Sequence, residues 1–152
     1  MSKIKIEGGH LLQGVINISG AKNSAVALIP AAILCDEETT ITNVPEISDV
    51  DSLEEILTCL SANVKRDKNS VTIDSKSVEN KIIPEELSVK LRASYYFMGA
   101  LLGKFHKVEM YFPGGCSIGE RPIDLHLKGF EKLGATISEE GNYIKIEAKE
   151  LK

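Results

Sequence analysis

Residues 50–64 read VDSLEEILTCLSANV, and residues 123–137 read IDLHLKGFEKLGATI, so that the second stretch repeats the first at a constant offset of 73 residues. At the same offset, VTI at 71–73 corresponds to IKI at 144–146. The correspondence therefore continues from an amphipathic helix pattern into an alternating strand pattern. We conclude that the chain contains two copies of one structural unit, and this repeat decides the fold class before any single motif does.

Upstream of these stretches the offset between the copies changes to 68. VP at 44–45 then corresponds to FP at 112–113, and AAIL at 31–34 corresponds to GALL at 99–102. The second copy therefore carries five additional residues between its proline and its amphipathic helix, within GGCSIGERP at 114–122. Because functional residues are commonly placed on loops added to a scaffold, this insertion is the first place to look for a site.

Each unit is predicted to contain an apolar helix, a strand, an amphipathic helix and a hairpin, which indicates an α/β fold. Two short alternating strands are expected before both units. The opening strands are predicted over 3–7 and 14–19. The first unit is predicted to have a helix over 23–35, a strand over 39–44, a helix over 51–61 capped by Asp51, and a hairpin over 63–74 turning at 67–69. The second unit is predicted to have a helix that Pro84 opens and that includes Arg92, a strand over 108–112, a helix over 124–133 ended by Gly134, and a hairpin turning at 140–142.

Composition excludes several classes of protein. The 152 residues are 43% hydrophobic and 26% charged, which is typical of one ordinary soluble domain. The net charge of -4 gives no basic surplus for nucleic acid or an anionic membrane surface. The longest apolar run, residues 25–35, is far shorter than the about 20 residues of a membrane-spanning helix, and the amino terminus lacks the pattern of a signal peptide. We therefore expect a cytoplasmic protein.

Cysteine and histidine spacing predicts neither a disulfide scaffold nor a metal site. The three cysteines are an odd number without a Cys-x-x-Cys pair, and the three histidines lie far apart. No phosphate-binding or dinucleotide-binding glycine motif is present either. We therefore expect no cofactor.

Cys116 is the first candidate for chemistry. A lone cysteine is commonly a small buried hydrophobe, and Cys35 and Cys59, on apolar helix faces, fit that interpretation. Cys116 instead follows two glycines in the inserted loop, near Arg121, where exposed amides and a cation can tune a thiol. The glycines themselves either shape a tight turn or let backbone amides approach an anion.

Lys22 and Asn23 form the second candidate, and Arg92 the third. Lys22 and Asn23 lie between a strand pattern and an apolar helix, where unpaired N–H groups attract an anion; a solvated lysine and an asparagine cap explain the same pattern equally well. Arg92 is predicted on a helix whose adjoining face, with Gly99 and Gly103, allows close packing on a neighbour, which would bring Arg92 to a crowded cleft. Periodicity alone is also consistent with a merely exposed arginine.

Taken together, these residues resemble the amino-terminal part of the UDP-N-acetylglucosamine 1-carboxyvinyltransferase family of enolpyruvyl transferases. The resemblance covers all 152 residues, and its most specific part is PGGCSIGERPIDLH at 113–126. The sister family that makes 5-enolpyruvylshikimate 3-phosphate has a serine-rich turn after its lysine and lacks the cysteine loop, so it is the more distant alternative. The other matching motifs are LQG at 12–14, ISGAKN at 18–23, NVP at 43–45, DVD at 49–51 and RAS at 92–94.

The resemblance implies an inside-out α/β barrel in which each of two domains contains three units. Residues 1–20 would then be opening strands that pack with the other domain, and residues 21–152 an incomplete first domain with units at about 21–75 and 84–148. Family members are far longer than this chain, so the chain resembles a fragment. Its structural partner would be the remainder of the enzyme, without which we expect exposed barrel surface to cause dimerisation or aggregation.

The resemblance also implies the function and the site. The family transfers the enolpyruvyl group of phosphoenolpyruvate to the 3-hydroxyl of UDP-N-acetylglucosamine, the first committed step of peptidoglycan synthesis and the target of fosfomycin. Cys116 would be the general acid and the site of a covalent adduct. The substrate-binding residues would be Lys22 and Asn23 for phosphoenolpyruvate, and Arg92, Arg121, Pro122, Ile123, Asp124 and Leu125 for UDP-N-acetylglucosamine.

The same resemblance places the family's aspartate base and further arginines after Lys152. We therefore expect the isolated chain to have little or no activity. The alternative from a different class is a non-catalytic binding or assembly fragment.

Overall fold

The computed structural model describes residues 3–114 and 122–152. Its helices are α1 (Lys22–Ala31), α2 (Ser48–Cys59), α3 (Glu85–Ser88), α4 (Tyr96–Phe105) and α5 (Asp124–Lys132), with 3₁₀ turns at Ala32–Leu34 and Arg92–Tyr95. Its strands are β1 (Thr39–Ile41), β2 (Asn63–Asp67), β3 (Ser70–Asp74), β4 (Lys107–Tyr111), β5 (Thr136–Glu140) and β6 (Tyr143–Glu147).

The described strands form two three-stranded antiparallel sheets with the same topology. The order is β1-β3-β2 in the first sheet and β4-β6-β5 in the second. In each sheet the last strand of the hairpin is central and pairs with the strand that precedes the amphipathic helix. The two units predicted from the repeat are therefore confirmed, and with them an α/β fold.

The units differ by one residue after their first strands. Ile41 and Met110 occupy equivalent places opposite the central strands, and so do Val44 and Phe112. Two residues separate Ile41 from Val44, whereas one separates Met110 from Phe112. Asn43 accommodates the additional residue with a left-handed backbone (φ 55°), a conformation that asparagine adopts more readily than most residues. We refer to this additional residue and its left-handed backbone as the Asn43 bulge.

Both units share one apolar core. The central helices α1 and α4 pack against each other, and Ile29, Ile33, Phe97 and Leu101 have no exposed surface. Burying an aliphatic or aromatic side chain of this size stabilises the folded state by about 1.5–3 kcal/mol. Because the core contains side chains from both units, neither unit has a separate interior.

The linker between the units is also held in place. The buried Ser75 hydroxyl donates to the Cys35 carbonyl, and the Ser77 hydroxyl donates to the Ser61 carbonyl at 2.5 Å. At the end of the linker the Ile83 N–H donates to the carbonyl of Glu109 in β4 at 3.1 Å. Such bonds satisfy the polar groups of a segment that has no sheet of its own. The second unit is thereby placed directly against the first.

The predicted opening strands are wrong for this structure. Residues 3–20 form no strand, and their alternating apolar side chains remain exposed to solvent. A strand needs a partner edge for its backbone groups, and no described strand pairs with this segment. The exposed side chains, each more than 80% accessible, are Ile4, Ile6, Leu11, Leu12, Val15, Ile16 and Ile18.

The helix predicted from Pro84 is interrupted, and this corrects the placement of Arg92. Pro84 does open α3, but α3 ends at Ser88, and Leu91 is extended (φ -136°, ψ 122°). Arg92 begins the 3₁₀ turn before α4, so it lies on neither helix. The close packing expected of the glycine face is present, since a Cβ at Gly103 would lie 3.1 Å from Leu34.

Two smaller expectations are also corrected. The second helix begins at Ser48, so Asp51 lies within its first turn rather than capping it, and its carboxylate forms an ion pair with Arg66. Cys35 is exposed and Cys59 is half-buried, so neither is a fully buried hydrophobe. Within the described part of the chain, every helix is too short or too polar to cross a membrane.

Candidate functional site

Lys22, Asn23 and Arg92 line one cleft of about 410 Å³. Lys22 and Asn23 begin α1 in the first unit, whereas Arg92 begins the 3₁₀ turn in the second unit. Asp49, from the first turn of α2, and Tyr95 also line this cleft. The structure therefore brings the second and third candidates together, although about 70 residues separate Asn23 from Arg92 in sequence.

The start of α1 reaches this cleft because residue 20 has no side chain. A Cβ at Gly20 would lie 1.6 Å from the carbonyl oxygen of Asn43 and 2.7 Å from its carbonyl carbon. The turn before α1 therefore packs directly on the backbone of the Asn43 bulge. Asn23 lies inside the first turn of α1, and Ala21 precedes the helix, so the interpretation of Asn23 as a helix cap is wrong.

The cleft contains more positive than negative charge. The Lys22 ammonium forms an ion pair with Asp49, whose side chain is 21% exposed. Lys90 and Arg92 also line the cleft, and Lys90 pairs with Glu55 outside it. Cations beside the exposed N–H groups of a helix start attract an anionic ligand. Asp49 was not predicted as a site residue, and the one sequence signal for it was the DVD motif at 49–51.

Tyr95 is a second wall residue that sequence reasoning did not identify. Its ring stacks on Tyr96 with centroids 4.4 Å apart and lies 4.9 Å from the ring of His126 in α5. Burial and the hydrogen bond with Tyr96 raise the pKa of Tyr95 to about 12, although the nearby charge of Arg92 lowers it. The Tyr95 hydroxyl therefore stays protonated at neutral pH.

Arg92 also borders a second cleft of about 310 Å³. Pro122, Ile123 and Asp124 line this cleft. Leu125 does not join them: it is 74% exposed and lines a depression along α5 instead. Arg92 is thus a common wall of the two clefts.

The first unit has an equivalent of the second cleft, with different charges. Asp51 and Arg66 line it, and at the repeat offset they correspond to Asp124 and Glu139 of the second cleft. In the first unit Arg66 forms an ion pair with Asp51. In the second unit the Glu139 carboxylate occupies the position of the Arg66 guanidinium. Strand β5 therefore offers Asp124 no cation equivalent to Arg66. Two units of the same topology therefore present different charges at equivalent positions.

Cys116 and Arg121 lie outside the described residues. Pro113 and Pro122, on either side of that segment, both line the second cleft. Among the described residues, no three histidine, cysteine or acidic side chains are arranged to hold a metal ion.

Comparison with known proteins identifies the family. The family described as EPSP synthase (3-phosphoshikimate 1-carboxyvinyltransferase) matches residues 6–152. UDP-N-acetylglucosamine 1-carboxyvinyltransferase 2 of Oceanobacillus iheyensis is 53% identical over 152 residues, which are 100% of this chain and 36% of that protein. UDP-N-acetylglucosamine 1-carboxyvinyltransferase of Streptococcus pneumoniae serotype 2 is 55% identical over 150 residues, 99% of this chain and 36% of that protein. The chain thus spans about a third of the length of these curated relatives.

Solved structures agree on the fold. The enolpyruvyl transferase NikO from Streptomyces tendae superposes with a TM-score of 0.78 at 23% identity, covering 95% of this chain and 32% of that one. EPSP synthase from Acinetobacter baumannii superposes with a TM-score of 0.66 at 18% identity, covering 91% and 33%. Since the family match spans nearly the whole sequence, the chain belongs to the EPSP synthase (3-phosphoshikimate 1-carboxyvinyltransferase) family.

Proposed function

We propose that this chain is the amino-terminal part of an enzyme that transfers the enolpyruvyl group of phosphoenolpyruvate to the 3-hydroxyl of UDP-N-acetylglucosamine and releases phosphate. The observation that carries the proposal is the meeting of Lys22, Asn23 and Arg92 in one cleft, with Pro122, Ile123 and Asp124 in the adjoining one. The names of the curated relatives support the same reaction. It would take place in the cytoplasm, as the first committed step of peptidoglycan synthesis.

The first cleft suits phosphoenolpyruvate. This substrate carries a phosphate and a carboxylate, and Lys22, Lys90 and Arg92 line the cleft beside the start of α1. Asn23 has an amide that can donate to either anion. Asp49 holds the Lys22 ammonium before the anion arrives. Cations arranged in advance around the phosphate stabilise the charge that develops when phosphate leaves.

The second cleft suits the sugar nucleotide. Pro122 and Ile123 offer apolar surface to a uracil ring, and Asp124 offers a carboxylate to its polar edge. By the family resemblance Arg121 and Leu125 would also belong to the binding set, although Leu125 lies on the exposed face of α5 outside this cleft. Because Arg92 borders both clefts, it would contact the sugar nucleotide near the point where the two substrates react.

The reaction needs a proton donor, a base and an anion site. Cys116 would give its proton to the methylene carbon of phosphoenolpyruvate while the sugar 3-hydroxyl oxygen bonds to the adjacent carbon and loses its proton to a base. Breaking the carbon–oxygen bond to phosphate, with loss of a proton from the new methyl group, restores the double bond. A positioned acid contributes about 10²–10⁴-fold to such a step. By the family resemblance, the base belongs to the part of the enzyme after Lys152.

The exposed face of α5 supports the inside-out barrel with a third unit. In α2 the side chains of Ile56 and Leu57 are fully buried, and α2 contacts α3 of the second unit. The equivalent helix α5 has no fully buried residue, and Leu125 and Leu133 are 74% and 43% exposed. A third unit packed on α5 as the second packs on α2 would bury this face. Residues 1–20 would then pack with the other domain, and residues 21–152 would hold two units of the first.

One observation favours a second candidate, a non-catalytic binding or assembly fragment. The apolar side chains of residues 3–20 are almost fully exposed, as expected of a segment that needs another polypeptide to cover it. Adding the remaining part of a relative in trans and measuring phosphate release with both substrates separates the two candidates. A gain of activity supports the transferase, whereas its absence supports the binding fragment.

The direct test uses fosfomycin. The purified chain is incubated with fosfomycin, with and without UDP-N-acetylglucosamine, and the adduct is located by intact mass and peptide mapping. We expect one adduct at Cys116, formed faster with the sugar nucleotide. Lys22→Ala is expected to slow labelling, because a cation of the anion site is lost.

Cys35 serves as the internal control, because it is exposed and lines neither cleft. Equal labelling of Cys35 and Cys116 would show non-specific alkylation and would refute a functional site in this chain. So would a Cys116 labelling rate that Lys22→Ala leaves unchanged.

A further inference from the structure

The backbone turn that carries Arg92 is held by two buried serines. Ser88 and Ser94 have no exposed surface, and the Ser94 hydroxyl donates to the Ser88 carbonyl at 2.9 Å. This bond closes the turn on both sides of Arg92, because Ser88 ends α3 and Ser94 lies within the following 3₁₀ turn. The Ser94 N–H donates to the Leu91 carbonyl at 3.1 Å, so residue 94 contributes both its backbone and its side chain.

The Ser88 carbonyl accepts a second hydrogen bond from another part of the chain. The Gly114 N–H donates to it at 3.3 Å. A Cβ at Gly114 would lie 1.8 Å from the Val89 carbonyl oxygen, so the two backbones are in direct contact. A carbonyl oxygen has two lone pairs and can accept from both donors at once. One oxygen atom therefore joins the Arg92 turn to the segment that leaves β4.

This junction is anchored to the second sheet. The Ser88 hydroxyl approaches the Ile83 carbonyl at 3.4 Å, and the Ile83 N–H donates to the Glu109 carbonyl in β4 at 3.1 Å. Ser88 is thus linked through Ile83 to β4, the strand that Gly114 follows in the chain. Polar groups that are buried in this way hold a geometry because breaking any bond leaves an unsatisfied partner.

We propose that Ser94 is a positioning residue: its hydroxyl, through the Ser88 carbonyl that also accepts the Gly114 N–H, holds Arg92 at a fixed place between the two clefts. The expected effect of Ser94 on the binding of the sugar nucleotide rests on the proposed function. It adds a residue that touches neither cleft. Ser94 acts through Arg92, and the hydroxyl rather than the volume of the side chain is what matters.

The test compares Ser94→Ala with Ser75→Ala. Ser75 is the matched control, because it is 1% exposed and its hydroxyl also donates to one backbone carbonyl, that of Cys35, in the first unit. Amide hydrogen exchange is measured by NMR on the whole chain without ligand. In Ser94→Ala we expect exchange at Gly114 and at residue 94 to accelerate together by about five- to tenfold, the factor that corresponds to one lost hydrogen bond.

The control gives the opposite pattern. Ser75→Ala is expected to leave exchange at Gly114 within twofold of the wild-type chain while it accelerates exchange in the linker. Unchanged exchange at Gly114 in Ser94→Ala, or equal acceleration in both variants, would overturn the proposal. Because both changes remove one buried hydrogen bond, a general loss of stability affects them alike and cannot imitate the expected difference.

A second arm measures affinity for UDP-N-acetylglucosamine by calorimetry. Ser94→Ala is expected to weaken binding by about five- to tenfold, and Ser75→Ala by less than twofold. Equal affinities in the two variants would overturn the positioning role. If the wild-type chain binds no sugar nucleotide but Ser94→Ala still accelerates exchange at Gly114, the proposed function has failed and the placement of Arg92 by Ser94 stands.

Discussion

Replacing Gly20 by alanine is expected to disturb the first cleft more than the rest of the fold. The new Cβ would lie 1.6 Å from the Asn43 carbonyl oxygen, whereas real Cβ atoms essentially never approach closer than 3.0 Å. The two backbones must therefore separate by at least about 1.4 Å, the difference between these distances. Because the obstacle is a backbone carbonyl rather than a flexible side chain, the turn before Lys22 and Asn23 has to move.

The cost follows from the geometry of the contact. Inserting a methyl group into a packed site typically costs about 1–3 kcal/mol, and a backbone contact belongs at the upper end of that range. For a chain of this size each kcal/mol lowers the Tm by about 2–4 °C, so the expected decrease is about 6–12 °C. Moving the start of α1 also misplaces the Lys22 ammonium and the helix N–H groups relative to Arg92. Affinity for phosphoenolpyruvate should fall roughly tenfold, which corresponds to about 1.4 kcal/mol.

Thermal unfolding by circular dichroism and titration with phosphoenolpyruvate in the presence of UDP-N-acetylglucosamine measure the two effects. Gly14→Ala is the matched control, because a Cβ at Gly14 would have no neighbour within 4 Å. We expect this control to change neither the Tm nor the affinity. If Gly20→Ala melts like Gly14→Ala, the contact between Gly20 and the Asn43 bulge does not position α1, and the reasoning is refuted. A lower Tm with unchanged affinity would refute the link from this contact to the cleft.

Two further predictions concern stability. Burial raises the pKa of the Glu54 carboxyl; the charge of Arg66 opposes this shift and that of Asp51 reinforces it. The folded state therefore binds the proton more tightly than the unfolded state does. The free energy of unfolding should then fall as the pH rises from the usual carboxyl pKa through the raised one. Urea unfolding across that range should show this fall in the wild-type chain and its absence in Glu54→Gln; parallel curves would contradict the argument. Gly129→Ala should raise stability by up to about 1 kcal/mol, because Gly129 lies inside α5 with open space at its Cβ position, and a thermal melt that shows no increase would contradict this.

The repeat and most element boundaries could be predicted from the sequence because they depend on local patterns. The hairpin turns predicted at 67–69 and 140–142 and the end of α5 before Gly134 follow from turn residues and periodicity. The structure confirms both hairpins, with the turns at 68–69 and 141–142, and the end of α5. The opening strands failed because alternation identifies a strand's faces but not the edge that it pairs with. The helix from Pro84 failed because periodicity passes unbroken through the extended residue Leu91.

The amino-acid sequence by itself determined that the chain is α/β, that it contains two copies of one unit, and that the second copy carries an inserted cysteine loop. It also identified Lys22, Asn23 and Arg92 as candidate site residues. Only the tertiary structure decided that these three share a cleft, that Asp49 and Tyr95 belong to it, and that Arg92 is a wall of two clefts while Leu125 is not. The physical reason is that hydrophobic period and turn chemistry act over a few residues, whereas the site depends on how two units pack around one core.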